Sequence, residues 1–136
     1  MGSAIDKPEL RTKLSICRPA VRAAIAAYIQ KVAVEHASEV VCITLYGSQA
    51  RGESSEESDI DLFVVVRHDT PALRQSLADL AWQVQFEHDI VISDMIRSVT
   101  QLNGMRGKQG PYYQSIEREG IVLWKSACPS PSRSCP

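Results

Sequence analysis

The chain is short of several things, and each shortage narrows what it can be. It has no run of about 18 apolar residues, the length a membrane-crossing helix needs, so no membrane association through such a helix is expected. Its first ten residues, MGSAIDKPEL, lack the basic start and apolar stretch of a secretory signal, so a cytoplasmic location is expected. It has no excess of positive charge: 15 Lys and Arg stand against 16 Asp and Glu, for a net charge of -1. Direct nucleic-acid binding is therefore not expected, because phosphate binding normally shows as a basic patch or a high pI. The four cysteines, Cys17, Cys42, Cys128 and Cys135, form no CxxC pair and no Cys/His spacing, which argues against a zinc site of the common kinds. Cys17 and Cys42 lie in apolar segments and read as buried or free thiols. Cys128 and Cys135 could pair in the tail, a bond with no role in a reducing compartment. There is no internal repeat.

What is present suits one domain. A chain of 136 residues can bury a core without staples. Residues 1–18 read as an N-terminal helical segment, with Asp6 and Glu9 spaced as a capping box and Pro8 in the first turn. Pro19 restarts the helix, and Val21, Ile25, Tyr28, Ile29 and Val32 then recur at helical spacing. VVCITLY, from Val40 to Tyr46, is β-branched and unbroken, as in a strand covered on both faces. DIDLFVVV, from Asp59 to Val66, repeats the pattern. Thr70 and Pro71 open a helix, with Thr70 or Asp69 as its cap, whose apolar stripe is Leu73, Leu77, Leu80 and Val84. DIVIS, from Asp89 to Ser93, is predicted as a third strand. NGMRGKQG, from Asn103 to Gly110, is predicted as a mobile loop because it holds three glycines in eight residues. Pro111 to Glu119 reads as a short helix closed by Gly120, and Ile121 to Trp124 as a last strand. Residues 126–136 are Pro/Ser-rich and are predicted to be disordered. The fold class is therefore α+β: a small sheet of three or four strands packed with helices, occupying residues 19–125.

One stretch carries chemistry. In LYGSQARGESSEESDIDLFVVV, Gly47-Ser48 ends one apolar run and Asp59-Ile60-Asp61 opens the next, ten residues later. Residues i and i+2 of a strand share a face, about 6–7 Å apart at Cα. Asp59 and Asp61 thus project together, and two neighbouring carboxylates resist joint ionisation. A divalent cation removes that penalty, and Mg²⁺ favours a few carboxylates together with substrate phosphates. Gly47-Ser48 meanwhile stands where a strand gives way to a helical turn. Free backbone N–H groups there attract phosphate, and a residue without Cβ lets the backbone approach a ligand. Ser48 adds a hydroxyl, and Arg51 stands within reach of the same anion. Taken singly, a Gly-Ser pair is a turn, two spaced acids are surface decoration, and Arg51 is a solvated charge. Together, between buried strands, they lay out a grip for a nucleoside triphosphate and its magnesium. Glu53, Glu56 and Glu57 read instead as a solvated loop edge.

Gly47-Ser48, ten residues, then Asp59-x-Asp61 resembles the signature of the polymerase-beta-like nucleotidyltransferase superfamily. GSQARGESSEESDIDL is similar to the form seen in minimal nucleotidyltransferases, and IEREGIVLW looks like the usual end of that domain. The resemblance covers roughly residues 20–125. It implies the polymerase-beta-like nucleotidyltransferase fold and three acids around the metal, two Mg²⁺ ions, with ATP as nucleotide donor. Asp89 matches the third acid, with Glu87 and Asp94 as competitors and His88 as a structural neighbour. Gly47, Ser48 and Arg51 match the phosphate holders. Minimal members lack an acceptor-binding domain, so the resemblance points to an acceptor presented by a partner. It resembles the antitoxin half of HEPN–MNT toxin–antitoxin pairs, which transfers AMP from ATP to a tyrosine of a HEPN ribonuclease toxin. Two alternatives stay open. One is a small-molecule or RNA nucleotidyltransferase acting as a homo- or hetero-oligomer. The other is a toxin-binding protein without catalysis. Arg106 and Lys108 are candidates for nucleotide or partner contacts, while Tyr112 and Tyr113 raise the question of self-modification, with packing or partner contact as their expected role.

Overall fold

The computed structural model describes residues 8–53 and 59–126. The expected capping box at Asp6, the acids Glu56 and Glu57, and the tail beyond Ser126 lie outside the described residues. Among the described residues six helices and four strands follow in the order α1 (Pro8–Leu14), α2 (Pro19–His36), β1 (Val40–Tyr46), α3 (Gly47–Arg51), β2 (Ile60–Val66), α4 (Pro71–His88), β3 (Ile92–Ser98), α5 (Val99–Lys108), α6 (Pro111–Glu119) and β4 (Ile121–Lys125). The sheet order is β3-β2-β1-β4. β1 runs antiparallel to both β2 and β4, while β2 and β3 are parallel. This is the mixed α+β sheet that the sequence pattern implies.

β1 and β2 are the two central strands, which is why their apolar residues do not alternate with polar ones. All seven residues of β1 are buried, and so are all of β2 except Asp61. Alternate side chains feed two cores. Ile60, Leu62, Val64 and Val66 of β2 join α1, α2 and α4 in the larger cluster. Phe63 and Val65 face the other way and meet Leu102 of α5 with Tyr113 and Ile116 of α6. Thr70 caps α4 as its position suggests, accepting a hydrogen bond from the Leu73 N–H at 3.2 Å.

Three local expectations are corrected. The third strand begins at Ile92 instead of Asp89, because α4 continues to His88 and Asp89 then reverses the chain with φ 52°. The glycine-rich stretch is mostly helix. Ser98 accepts from the Gln101 N–H, and the Gln101 side chain accepts from the Ser98 N–H, so a full capping box starts α5. Buried Leu102 and half-buried Met105 anchor α5 to the smaller core, and this outweighs about 1 kcal/mol per glycine. Gly120 ends α6 without left-handed backbone; a Cβ there would come within 2.3 Å of the Ile116 carbonyl oxygen and 2.7 Å of the Thr44 methyl. Of the cysteines, Cys17 is a buried free thiol, whereas Cys42 is disulfide-bonded. Among the described residues no helix is long and apolar enough to cross a membrane.

Candidate active site

β1 stops at Tyr46 because Gly47 takes φ +76°, a conformation open to glycine at little cost. The turn has a second reason to be glycine. A Cβ on Gly47 would lie 2.3 Å from Asp61 Oδ2, 3.1 Å from its Cγ and 3.3 Å from its Cβ. The carboxylate occupies the volume a side chain would take. The Gly-Ser turn and the acid-bearing strand are thus pressed directly together. Gly47 to Arg51 form the short helix α3, the helical turn expected after Gly47-Ser48. It closes at Gly52, while the Glu53 N–H donates to the Ser48 carbonyl at 3.0 Å. Ser48 is half-buried.

Asp61 stands opposite Tyr46 in the β1–β2 ladder. It is half-buried on the side of the sheet that Phe63 and Val65 share, whereas Asp59 is exposed just ahead of β2. The Asp61 carboxyl is raised above the ordinary aspartate range, first by burial, then by the negative charge of Asp59, with Arg51 partly offsetting both. The mutual repulsion inferred from the Asp-x-Asp spacing is therefore present in the folded chain. A half-buried carboxylate held against its own ionisation, with a second acid beside it, suits a hard divalent cation such as Mg²⁺. Among the described residues no group of three His, Cys, Asp or Glu side chains gathers as a ready cation site, so water and substrate oxygens would complete the coordination.

The other candidates fall in separate places. Asp89 is exposed at the left-handed end of α4. It lies two residues before Val91, whose carbonyl accepts from the Ile60 N–H at 2.9 Å, so it is at the same end of the sheet as Asp59. Asp94 pairs with Leu62 in the β2–β3 register and shares the face of Ile92 and Ile96. There it accepts from the Tyr28 hydroxyl at 3.3 Å, on the side opposite Asp61. Glu87 is exposed near the end of α4 and borders a groove along α2 with Val34 and Lys31. His88 is the last residue of that helix. Arg51 reaches Glu53 at 3.1 Å and Glu119 of α6 at 3.0 Å, so it ties α3 to α6 as well as facing Asp61.

Two residues near the acids escaped the sequence reading. The Tyr46 hydroxyl lies 3.3 Å from that of Tyr112. Its pKa is raised by burial, by Tyr112 and by the charge of Asp61, and lowered by Arg97. Arg97 pairs with Val65 just as Ser93 pairs with Asp61, so strand alternation places it on the acid-bearing face once β3 starts at Ile92.

A family model described as polymerase beta, nucleotidyltransferase matches residues 28–126. Two proteins of Methanocaldococcus jannaschii whose names propose protein adenylyltransferase activity are similar to the chain. The first is 37% identical over 60 residues, covering 43% of this chain and 60% of that relative. The second is 27% identical over 101 residues, covering 74% of this chain and 95% of that one. A solved structure described as a toxin–antitoxin with AMP-PNP superposes with a TM-score of 0.50 at 19% identity, covering 74% of this chain and 73% of that one. At that identity the likeness is one of fold.

Proposed function

From the premise that this chain belongs to the polymerase beta nucleotidyltransferase family and is a nucleotidyltransferase, we propose that it is a protein adenylyltransferase acting as an antitoxin. In this reading it transfers AMP from ATP to a tyrosine of a HEPN-type toxin partner. The observation that carries the transferase part is the packing of Gly47 on Asp61, with Asp61 Oδ2 where a Cβ would be. That contact makes one site of the phosphate-binding turn and the acid pair. The names of the relatives favour a protein acceptor, and the solved toxin–antitoxin of like fold favours a toxin.

The roles divide as follows. The Gly47–Ser48 backbone and the Ser48 hydroxyl hold the β- and γ-phosphates. Arg51 adds positive charge beside them while Glu119 and Glu53 fix its direction. Asp59 and Asp61 would hold Mg²⁺, and Asp89, at the same end of the sheet but not gathered with them, is assigned the third acid's role. When bound, the metal neutralises phosphate charge and eases deprotonation of the acceptor hydroxyl. The chain's own contribution is to align that hydroxyl with the α-phosphorus and the departing pyrophosphate.

The test is a transfer assay with ATP labelled at the α-phosphate, Mg²⁺ and a lysate of the host, run beside Asp59→Asn/Asp61→Asn. A labelled protein band that disappears in the variant is expected, and its identity names the partner. Label confined to RNA or small molecules would replace the proposed acceptor. Toxin neutralisation that survives in the variant would replace catalysis by simple contact.

A further inference from the structure

Tyr112 and Tyr113, the pair that raises the question of self-modification, are separated by the structure. Of the chain's four tyrosines, Tyr28, Tyr46 and Tyr113 are buried, while Tyr112 is 52% exposed. Tyr112 is also connected to the acids. It is the second residue of α6, and its hydroxyl lies 3.3 Å from that of Tyr46. The two rings meet edge to face, 5.9 Å apart at 63°. Tyr46 in turn stands directly opposite Asp61 in the ladder. The one accessible phenol thus hangs over the acid-bearing face, a single tyrosine away from Asp61.

We infer that Tyr112 is an acceptor in its own right, and that the chain adenylylates itself there. The inference rests on the transferase reading above. The step is an ordinary nucleotidyl transfer. The Tyr112 oxygen forms a bond to the α-phosphorus of ATP, the bond from that phosphorus to the β-bridging oxygen breaks, and pyrophosphate leaves. The hydroxyl proton passes to the water that already reaches this half-exposed side chain. Because acceptor and acids share one chain, the reaction is unimolecular once ATP is bound, with the effective-concentration advantage of a held pair. In the product the Tyr112 oxygen has lost its proton, so it can no longer donate to the Tyr46 hydroxyl and carries a phosphate beside it.

The experiment uses the full chain with Mg²⁺ and ATP labelled at the α-phosphate, over a range of protein concentrations. Intact mass and peptide mapping locate any added AMP, and a parallel lane contains host lysate. The expected result is one AMP on Tyr112. The label is lost in Tyr112→Phe, which keeps the ring and its packing, and in Asp59→Asn/Asp61→Asn. It is retained in Tyr113→Phe, and its first-order rate constant does not change with protein concentration. A rate that rises with concentration overturns the intramolecular step. Label on lysate proteins with none on Tyr112 overturns self-modification and leaves the transferase reading standing. No nucleotide transfer to any acceptor overturns both.

Discussion

Asp61 and Asp94 are near neighbours on adjacent strands, both half-buried, both with carboxyls raised chiefly by burial. They face opposite sides of one sheet, and that difference decides what each is for. Asp94 lies on the side of the large core, where the Tyr28 hydroxyl donates to it and Arg74 lends positive charge, both favouring its ionised form. Asp61 faces the smaller core and has the charge of Asp59 set against it. A protein resolves the cost of a half-buried acid when the acid is structural. It leaves the cost in place when a ligand is to relieve it, and strained ionisation of this kind gathers at functional sites.

The sharpest way to break the comparison is to neutralise each acid in turn. Asp61→Asn is expected to lower the transfer rate by about 10²–10³-fold, the scale on which loss of one charge-stabilising group acts. Asp94→Asn keeps an acceptor for Tyr28 and is expected to leave the rate within about twofold. The assay is AMP transfer to the partner under saturating ATP. Equal losses from both variants would mean that the two faces are not divided as argued.

The second prediction concerns Gly47, where both reasons for glycine act at once. Gly47→Ala places a side chain at φ +76°, which costs about 1–2 kcal/mol, and drives the new methyl into Asp61 Oδ2. That oxygen is the end of a side chain and can swing away, so the fold survives, but the carboxylate no longer stands where Gly47 now holds it. Chemical denaturation should show the modest stability loss, and the transfer assay a much larger loss of rate. Retained rate with lost stability would disconnect the turn from the site.

The division between faces also explains what was legible beforehand. Gly47, Asp59 and Asp61 stood out because acids and a small residue interrupt runs that are otherwise continuously apolar. β3 was harder, since an edge strand holding Ser93, Asp94, Arg97 and Ser98 carries little apolar signal. Its true start was hidden by α4, which runs on through Gln85, Phe86, Glu87 and His88. Running that strand from Ile92 to Ser98 brings in Asp94 and Arg97, which fall on opposite faces because side-chain direction alternates at each step. α5 was hidden in a different way. Its glycines read as a loop, and only Ser98 with Gln101 gave a helix start. Tyr46 was counted as core, which it is; its closeness to Asp61 follows from pairing across the ladder, and no local pattern carries that.

The smallest effect expected is on stability without metal, and its sign follows from Asp61. A carboxyl raised in the folded state binds its proton more tightly folded than unfolded. Folding is therefore favoured at acid pH, and stability falls as pH rises from the ordinary aspartate range through the folded value. Asp61→Asn removes the titration. In EDTA the variant should be slightly more stable than the wild type at neutral pH, with the two converging below about pH 4, where an ordinary aspartate is protonated. The gain is modest because Asp61 is only half-buried and solvent screens its repulsion from Asp59. Adding Mg²⁺ should reverse the order, since ligand binding to the folded wild type raises its melting temperature while the variant has lost half of the acid pair. Melting curves with and without Mg²⁺ across that pH range measure both arms. A wild type already as stable as the variant in EDTA at neutral pH would show that the fold neutralises Asp61 by itself, and the contrast with Asp94 would then collapse.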